Sequence, residues 1–329
     1  MIDISTKFMG LALKNPIVAG SSGLTNSVNQ IKQLEEAGVA AVVLKSLFEE
    51  QIKMDVSSVI SSNEQNSSYP EAEDYIRNYT KMNSVGKYLD FLREVKAAVS
   101  IPIIASINCT SVADWTDFAR EIEAAGADAI ELNIYEMPID RNISADSYDK
   151  IYIDILRTVK KKVKIPVAVK IGPYFSNIIK MVDQLIANGA AAVVMFNKFY
   201  TPDFNLDTLE YTTSEVMSSP ADLFRGLRWT GLVKGKLPKV EIAASTGIHD
   251  GDGVIKQLLA GASVVQVCST LYLNGFGVVG QMQKDIEAFM NKWNFESLNE
   301  FRGRLSYQNI KSPSVYERAQ FMKYFSDRK

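Results

Sequence analysis

Apolar residues fall into short runs along the chain, and two phrases recur around them. In the first, a proline stands just ahead of an apolar run: Asn15-Pro16, Ile101-Pro102, Ile165-Pro166 and Leu237-Pro238. In the second, an amphipathic stretch ends in glycine and leads straight into an apolar run: EEAGVAAVVL, EAAGADAIEL, IANGAAAVVM and LLAGASVVQV, at Gly38, Gly126, Gly189 and Gly261. The two alternate strictly, so each pair of phrases marks two strands and four pairs mark eight. The predicted strands are Pro16–Ala19, Ala40–Leu44, Pro102–Ile107, Ala129–Leu132, Pro166–Val169, Ala191–Phe196, Val240–Ala244 and Ser263–Val267.

Helical spacing is clearest over Val28–Ala37, Ala113–Ala125, Asn177–Ala187 and Gly253–Ala260. Ile178, Ile179, Met181, Val182, Leu185 and Ile186 form one apolar stripe, which is core. Parallel strands covered on both faces are expected to be apolar throughout, as these are. The pattern predicts an α/β protein, a (β/α)8 TIM barrel. A doubly wound open sheet would leave the fourfold recurrence unexplained.

Phe48–Asn83, with SSVISSNEQNSSYP at its centre, and Tyr200–Pro220 are too long for plain connections. Both follow strands, which predicts long active-site loops on the C-terminal face of the barrel. Residues 294–329 are expected to add a helical extension, with helices over Leu298–Leu305 and Val315–Phe325. Residues 1–329 are thus expected to form a single domain.

Composition narrows the function classes. The chain is 47% hydrophobic and 22% charged with a net charge of −2, which gives no electrostatic case for nucleic acid or a membrane surface. No apolar stretch reaches transmembrane length and MIDISTKFMG lacks a signal-peptide core, so a cytoplasmic protein is expected. Two cysteines, Cys109 and Cys268, cannot make a disulfide framework or hold a metal cluster, and one histidine, His249, argues against metal sites.

The first polar residues after the strands are Gly20-Ser21, Lys45-Ser46, Asn108-Cys109, Asn133, Lys170, Asn197-Lys198, Ser245-Thr246 and Ser269-Thr270. Lysines behind apolar strands with no matching carboxylate pair are costly unless an anion neutralises them, or they snorkel to water. Lys45 and Lys170 with three asparagines on one rim favour a planar, polar, negatively charged small molecule. Val240–Gly275 reads as strand, glycine turn, helix, strand and turn. Both of its strands end in small hydroxyl residues, and a helix start supplies further N–H donors. A phosphate cradle and two ordinary capped turns both remain open on these residues alone.

NPIVAGSSG, VLKSLFEE, MNSVGKYLDFL, IELN, PVAVKIGPYF and the LLAGAS phrase together resemble the class 1 dihydroorotate dehydrogenases, which are soluble FMN-dependent barrels. The resemblance covers nearly the whole chain. It implies an FMN-dependent oxidoreductase that acts on a CH–CH bond, dihydroorotate to orotate or a close analogue, in pyrimidine biosynthesis. Ala19, Gly20 and Ser21 would line the flavin, with Lys45 and Ser46 between flavin and substrate. Asn83, Val85, Gly86, Asn133 and Asn197 would hold the substrate, and Lys170 would sit by the flavin's N1/O2 edge, with Asn108 also on the cofactor side. Ser245, Thr246 and Gly247 with Cys268, Ser269 and Thr270 would cradle the FMN phosphate.

The chain departs from the family pattern in two places. The family carries a Cys or Ser base shortly after the asparagine of ELN, followed by Pro-Asn. Here ELNIYEMPID sets Glu136 at that place and offers only Pro138 beyond it. Glu136 is then either the base or a loop carboxylate, with Cys109 and Tyr135 the other candidates. In the phosphate loop, Thr246 precedes Gly247 where a double glycine is expected. A different substrate and a non-catalytic flavin- or phosphate-binding barrel are the competing readings. The expected assemblies are a homodimer and a separate electron-transfer partner, since any iron–sulfur relay must come from another chain.

Overall fold

The computed structural model describes residues 2–48, 70–109, 115–199, 201–213 and 215–317, and at 48, 70–82, 109 and 115–117 the backbone alone. A hairpin of β1 (Thr6–Phe8) and β2 (Leu11–Leu13) comes first. Eight parallel strands then close a barrel in chain order: β3 (Ile17–Ala19), β4 (Ala41–Val43), β6 (Ile103–Cys109), β7 (Ala129–Ile134), β8 (Val167–Ile171), β9 (Ala192–Met195), β12 (Ile242–Ser245) and β13 (Val264–Val267). The short β5 (Leu47–Phe48) continues the second barrel strand alongside β6. Every predicted strand coincides with one of these to within a residue or two, so the (β/α)8 TIM barrel stands.

Helices alternate with the strands: α1 (Val28–Glu36), α2 (Pro70–Ala98), α3 (Trp115–Ala124), α4 (Ala145–Lys160), α5 (Ile178–Ala187), α6 (Leu223–Lys236) and α7 (Gly251–Ala260). After β13 come α8 (Ser269–Asn274) and α9 (Val278–Trp293). Gly38, Gly126, Gly189 and Gly261 have φ of 101°, 96°, 97° and 118°. The recurring glycine is therefore the left-handed residue that ends each helix and turns the chain into the next strand, a conformation side chains resist.

Apolar burial divides into two clusters. The larger lies between strands and helices, where Ile31, Leu92, Ile122, Leu156, Met181 and Leu258 pack on the outward residues of the strands. The smaller fills the lumen at the N-terminal end of the strands, from Val18, Ala41, Val43, Ile104, Ala129, Ala168, Ala192, Val194, Ala243 and Val264. Many of these are alanines, too small to fill the space. Phe8, Met9 and Leu13 of the leading hairpin complete the packing from below. Its loop, Met9-Gly10, has φ of 52° and 80°, the double left-handed turn that suits a two-residue hairpin.

Three expectations are corrected. Residues 70–83 are the first turns of α2 rather than loop; 49–69 lie outside the described residues. The 200–220 connection carries its own hairpin, β10 (Pro202–Asn205) and β11 (Glu210–Thr213), exposed along its length. In the tail, the helix expected over Leu298–Leu305 is a single 3-10 turn at Leu298–Glu300. The second tail helix is α10 (Ser314–Glu317), and 318–329 lie outside the described residues. Among the described residues, no helix is long and apolar enough to cross a membrane.

Candidate active site

Moving up a strand by two residues keeps a side chain on the same face, and in the lumen that step changes apolar into polar. On β6 the inward series is Ile104, Ser106, Asn108; on β7 it is Ala129, Glu131, Asn133; on β8, Ala168 and Lys170; on β12, Ala243 and Ser245; on β13, Val264 and Gln266. Register then sets these residues side by side: Asn108 pairs with Asn133, and Asn133 with Lys170. They open into a cavity of about 430 Å³ at the C-terminal end of the barrel, within the size range of small-molecule sites.

Lys170, 7% exposed, has the counter-ion that its sequence setting lacked. Its Nζ lies 3.5 Å from Glu131 Oε1 and donates to Gln266 Oε1 at 3.4 Å. Gln266 Nε2 donates to Glu131 Oε2 at 2.5 Å and closes a triangle beneath the cavity. A hydroxyl chain runs along the adjoining strands β3, β4 and β6, with Ser21 Oγ 3.1 Å from Ser46 Oγ, which is 2.7 Å from Ser106 Oγ. Asn197 Nδ2 donates to Asn133 Oδ1 at 2.9 Å. Asn108 Oδ1 is buried in the wall without a hydrogen-bond partner among the described residues. A buried acceptor left unmatched by the protein is suited to a donor brought by a ligand.

The loop after β12 forms the side wall. Thr246 takes φ +78°, a conformation foreign to β-branched residues, and Gly247 follows at +80°. Thr246 thus occupies the backbone setting of the missing first glycine. Its Oγ1 donates to Phe196 O at 2.9 Å. A Cβ on Gly247 would stand 2.1 Å from Leu223 N, so the second glycine is sterically required. Gly247 N donates to Ser218 Oγ at 3.3 Å; that hydroxyl is 3.1 Å from His249 Nε2, and Ser218 N donates to Ser269 Oγ at 2.9 Å. The N-terminus of α7 is taken by its own cap, Asp250, which accepts from Gly253 N, and none of its first residues lines the cavity.

The structure brings Ser21, Ser46, Asn108, Asn133, Lys170, Asn197, Ser245, Thr246, Gly247, Cys268 and Ser269 to the cavity wall. Ala19, Gly20 and Thr270 stand behind it: Ala19 and Thr270 are fully buried, and Thr270 Oγ1 is spent on His249 O. Lys45 and Asn83 are exposed and, with Val85 and Gly86 on α2, do not line the cavity. Glu136 lines a separate recess of about 120 Å³ with Tyr148, Asp149 and Tyr152, and Tyr152 OH accepts from Glu136 N at 3.4 Å. Tyr135, next to Glu136, lines both this recess and the main cavity and packs on Phe199 with ring centroids 4.0 Å apart and the planes tilted by 30°. The side chain of Cys109 lies outside the described residues.

Burial pushes the Tyr135 phenol up, and the charge of Tyr174 adds to it. Burial also raises the Cys268 thiol, against the hydrogen bond with Ser22 and the pull of Lys170. Both groups are held protonated. Sequence reasoning missed Glu131 and Gln266, although each is a lone polar residue inside an apolar strand, AIELN and VVQV. It also missed Ser218, Phe199 and Tyr272, which reach the cavity from segments that carry no pattern of their own.

Comparison with known proteins gives the chain's family. The family model described as dihydroorotate dehydrogenase matches residues 3–290. The catalytic subunit of dihydroorotate dehydrogenase B (NAD(+)) from Thermoplasma volcanium is 30% identical over 313 residues, covering 92% of this chain and 98% of that one. Its counterpart from Thermoplasma acidophilum is 26% identical over 309 residues, with 92% and 99% covered. The chloroplastic dihydropyrimidine dehydrogenase (NADP(+)) of Arabidopsis thaliana is 24% identical over 336 residues, with 92% of this chain and 76% of that one covered.

Proposed function

The chain belongs to the dihydroorotate dehydrogenase family, and from that premise we propose that it binds FMN in the barrel cavity and oxidises dihydroorotate, or a close planar analogue, to the unsaturated ring. The observation that carries the reading is the near-buried ammonium of Lys170 facing a cavity walled by Asn108, Asn133 and Asn197. The donor set fits a flavin mononucleotide. The amides and the unmatched Asn108 carbonyl suit a ring edged with N–H and C=O groups. Gly247, where a Cβ would strike backbone, lets the chain come close to a bulky anion, beside Thr246 and Ser269. When bound, the flavin supplies the hydride acceptor.

The chain's own residues do the rest. The substrate's CH–CH unit gives up a hydride from one carbon and a proton from its neighbour, next to a carbonyl. Lys170 stabilises negative charge that develops in the cavity. Asn133 and Asn197, tied to each other, present fixed donors and acceptors that hold an amide-rich ring in one plane. The packed rings of Tyr135 and Phe199 give that ring an apolar wall. Glu136 takes the proton in this reading by turning out of the recess behind Tyr135, because in its present position it does not line the cavity.

A single domain over 1–329, cytoplasmic, working as a homodimer with a second, electron-transferring subunit, completes the proposal. Relatives named as catalytic subunits support the second subunit.

The absorbance spectrum of the purified protein tests the cofactor, and anaerobic bleaching by dihydroorotate tests the substrate. Flavin bands with no bleaching would sink the substrate while sparing the cofactor. Glu136→Gln should slow flavin reduction by roughly 10²–10⁴-fold, the usual worth of a placed general base. An unchanged rate would return Glu136 to the role of a loop carboxylate. One observation favours a second reading, an FMN oxidoreductase of different substrate: Tyr135 occupies the cavity wall where Glu136 does not reach. Bleaching by another dihydropyrimidine or by an enone's saturated form, and not by dihydroorotate, is its signature.

A further inference from the structure

The buried carboxylate of Glu131 has no part in the chemistry above, and its setting is expensive. It is 1% exposed, it does not line the cavity, and among the described residues its Oε1 has only the Lys170 ammonium opposite it, at 3.5 Å. A buried ion pair commonly contributes less to stability than apolar side chains of the same volume would. The same strands fill the layer below with alanine and valine, so the fold has an apolar solution within reach. Gln266 comes from β13, separated from β8 by β9 and β12 in the barrel, and so reaches Glu131 and Lys170 across the lumen. Two of the three members, Lys170 and Gln266, face the cavity, while the carboxylate stays underneath.

We propose that Glu131 is a positioning residue that acts through Lys170: with Gln266 it fixes the direction of the ammonium and offsets part of its charge, and so sets how strongly the cavity favours a reduced, anionic occupant. The proposal rests on the flavin reading of the cavity. The Coulomb argument fixes the sign. An anion beneath the cavity opposes a second negative charge above it, and the burial of Glu131 and Lys170 weakens the screening of that effect. Removing that charge while keeping the amide-like shape leaves Lys170 unopposed. Reduced flavin gains relative to oxidised flavin.

The test is a redox titration of FMN-loaded Glu131→Gln protein against dyes of known potential. The expected result is an equilibrium moved at least tenfold toward the reduced form, about 30 mV upward for a two-electron couple, with flavin content unchanged. Glu131→Asp keeps the charge but withdraws it by one methylene, and should move the potential in the same direction by about threefold. A purely structural role would lower the melting temperature of both variants and leave their potentials at the wild-type value. A potential that is unmoved or lowered in folded, flavin-loaded Glu131→Gln overturns the proposal. If that variant does not fold, an unmoved potential in Glu131→Asp overturns it. Wild-type protein that takes up no flavin would defeat the cavity reading itself, a result seen in the first spectrum and separate from any shift.

Discussion

The two halves of the barrel lumen are made by the same strands and have opposite characters. The N-terminal half is lined by Ala129, Ala168, Ala192 and Ala243 and closed from below by Phe8, Met9 and Leu13. The C-terminal half, two residues further along, buries Ser106 and Glu131 and above them opens into a cavity lined by Asn108, Asn133, Lys170, Ser245 and Gln266. Backbone geometry is alike in both, so the difference lies in the side chains alone. The lower half supplies stability by excluding water. The upper half holds buried polar groups that the fold does not need and that cost free energy unless paired. Each pairing found there, Lys170 with Glu131, Asn197 with Asn133, Ser46 with Ser106, limits that cost while leaving donors and acceptors on the cavity wall.

Substitutions can separate the halves. The largest effect is expected from Phe8→Ala, which opens the sealed end: a loss of about 3–5 kcal/mol, as for other buried aromatic truncations, read by urea unfolding. Whatever protein remains folded should take up flavin with wild-type affinity; a matching loss of flavin affinity would show that the halves are not independent. Gly247→Ala attacks the other end. A methyl group 2.1 Å from Leu223 N at a positive φ forces the loop and the start of α6 apart. The expected cost is about 3 kcal/mol from strain and overpacking combined, together with loss of flavin absorbance at equal protein concentration.

A third effect is a pH dependence outside the lumen. Burial pushes the Tyr152 phenol up to about 12, against the hydrogen bond from the Glu136 amide. The folded state binds this proton more tightly than the unfolded chain, whose phenol titrates near 10. The contribution is therefore complete below about pH 10 and is lost as the pH rises toward 12, about 2–3 kcal/mol in all. Tyr152→Phe should flatten the difference in unfolding free energy between pH 9 and 11.5. Equal slopes in both proteins would remove Tyr152 as the source. The smallest effect belongs to Thr246→Gly. Relief of the left-handed strain and loss of the bond to Phe196 O work in opposite directions, and each is worth about 1 kcal/mol. A net change within about 1 kcal/mol is expected, and a larger loss would mean that the Thr246 side chain anchors the loop.

Much of the upper half was legible in the chain. Ser21, Ser46, Asn133, Lys170 and Ser269 are the first polar residues beyond apolar runs, and such residues have to stand at the rim. Lys45 meets the same criterion and points to solvent instead, because a residue just past a strand end is no longer bound by the strand's alternation. Glu136 differs for a related reason. The chain turns out of β7 after Ile134, so Tyr135 stands between the two cavities and lines both, while Glu136 lines the smaller recess alone.

By itself the sequence determined the barrel. Helix and strand periodicities are local, and the four glycines that end helices in the left-handed conformation can be recognised without knowing any long-range contact. It also determined which residues were polar inside apolar strands. Tertiary structure alone decided their partners. Glu131, Lys170 and Gln266 are separated by 39 and 96 positions along the chain and meet only because closure brings β13 to face β7 and β8 across the lumen. The identity of a buried charge is written in one residue, but its energy depends on what stands within a few ångströms of it. That distance is a property of the closed barrel, and no stretch of the chain contains it.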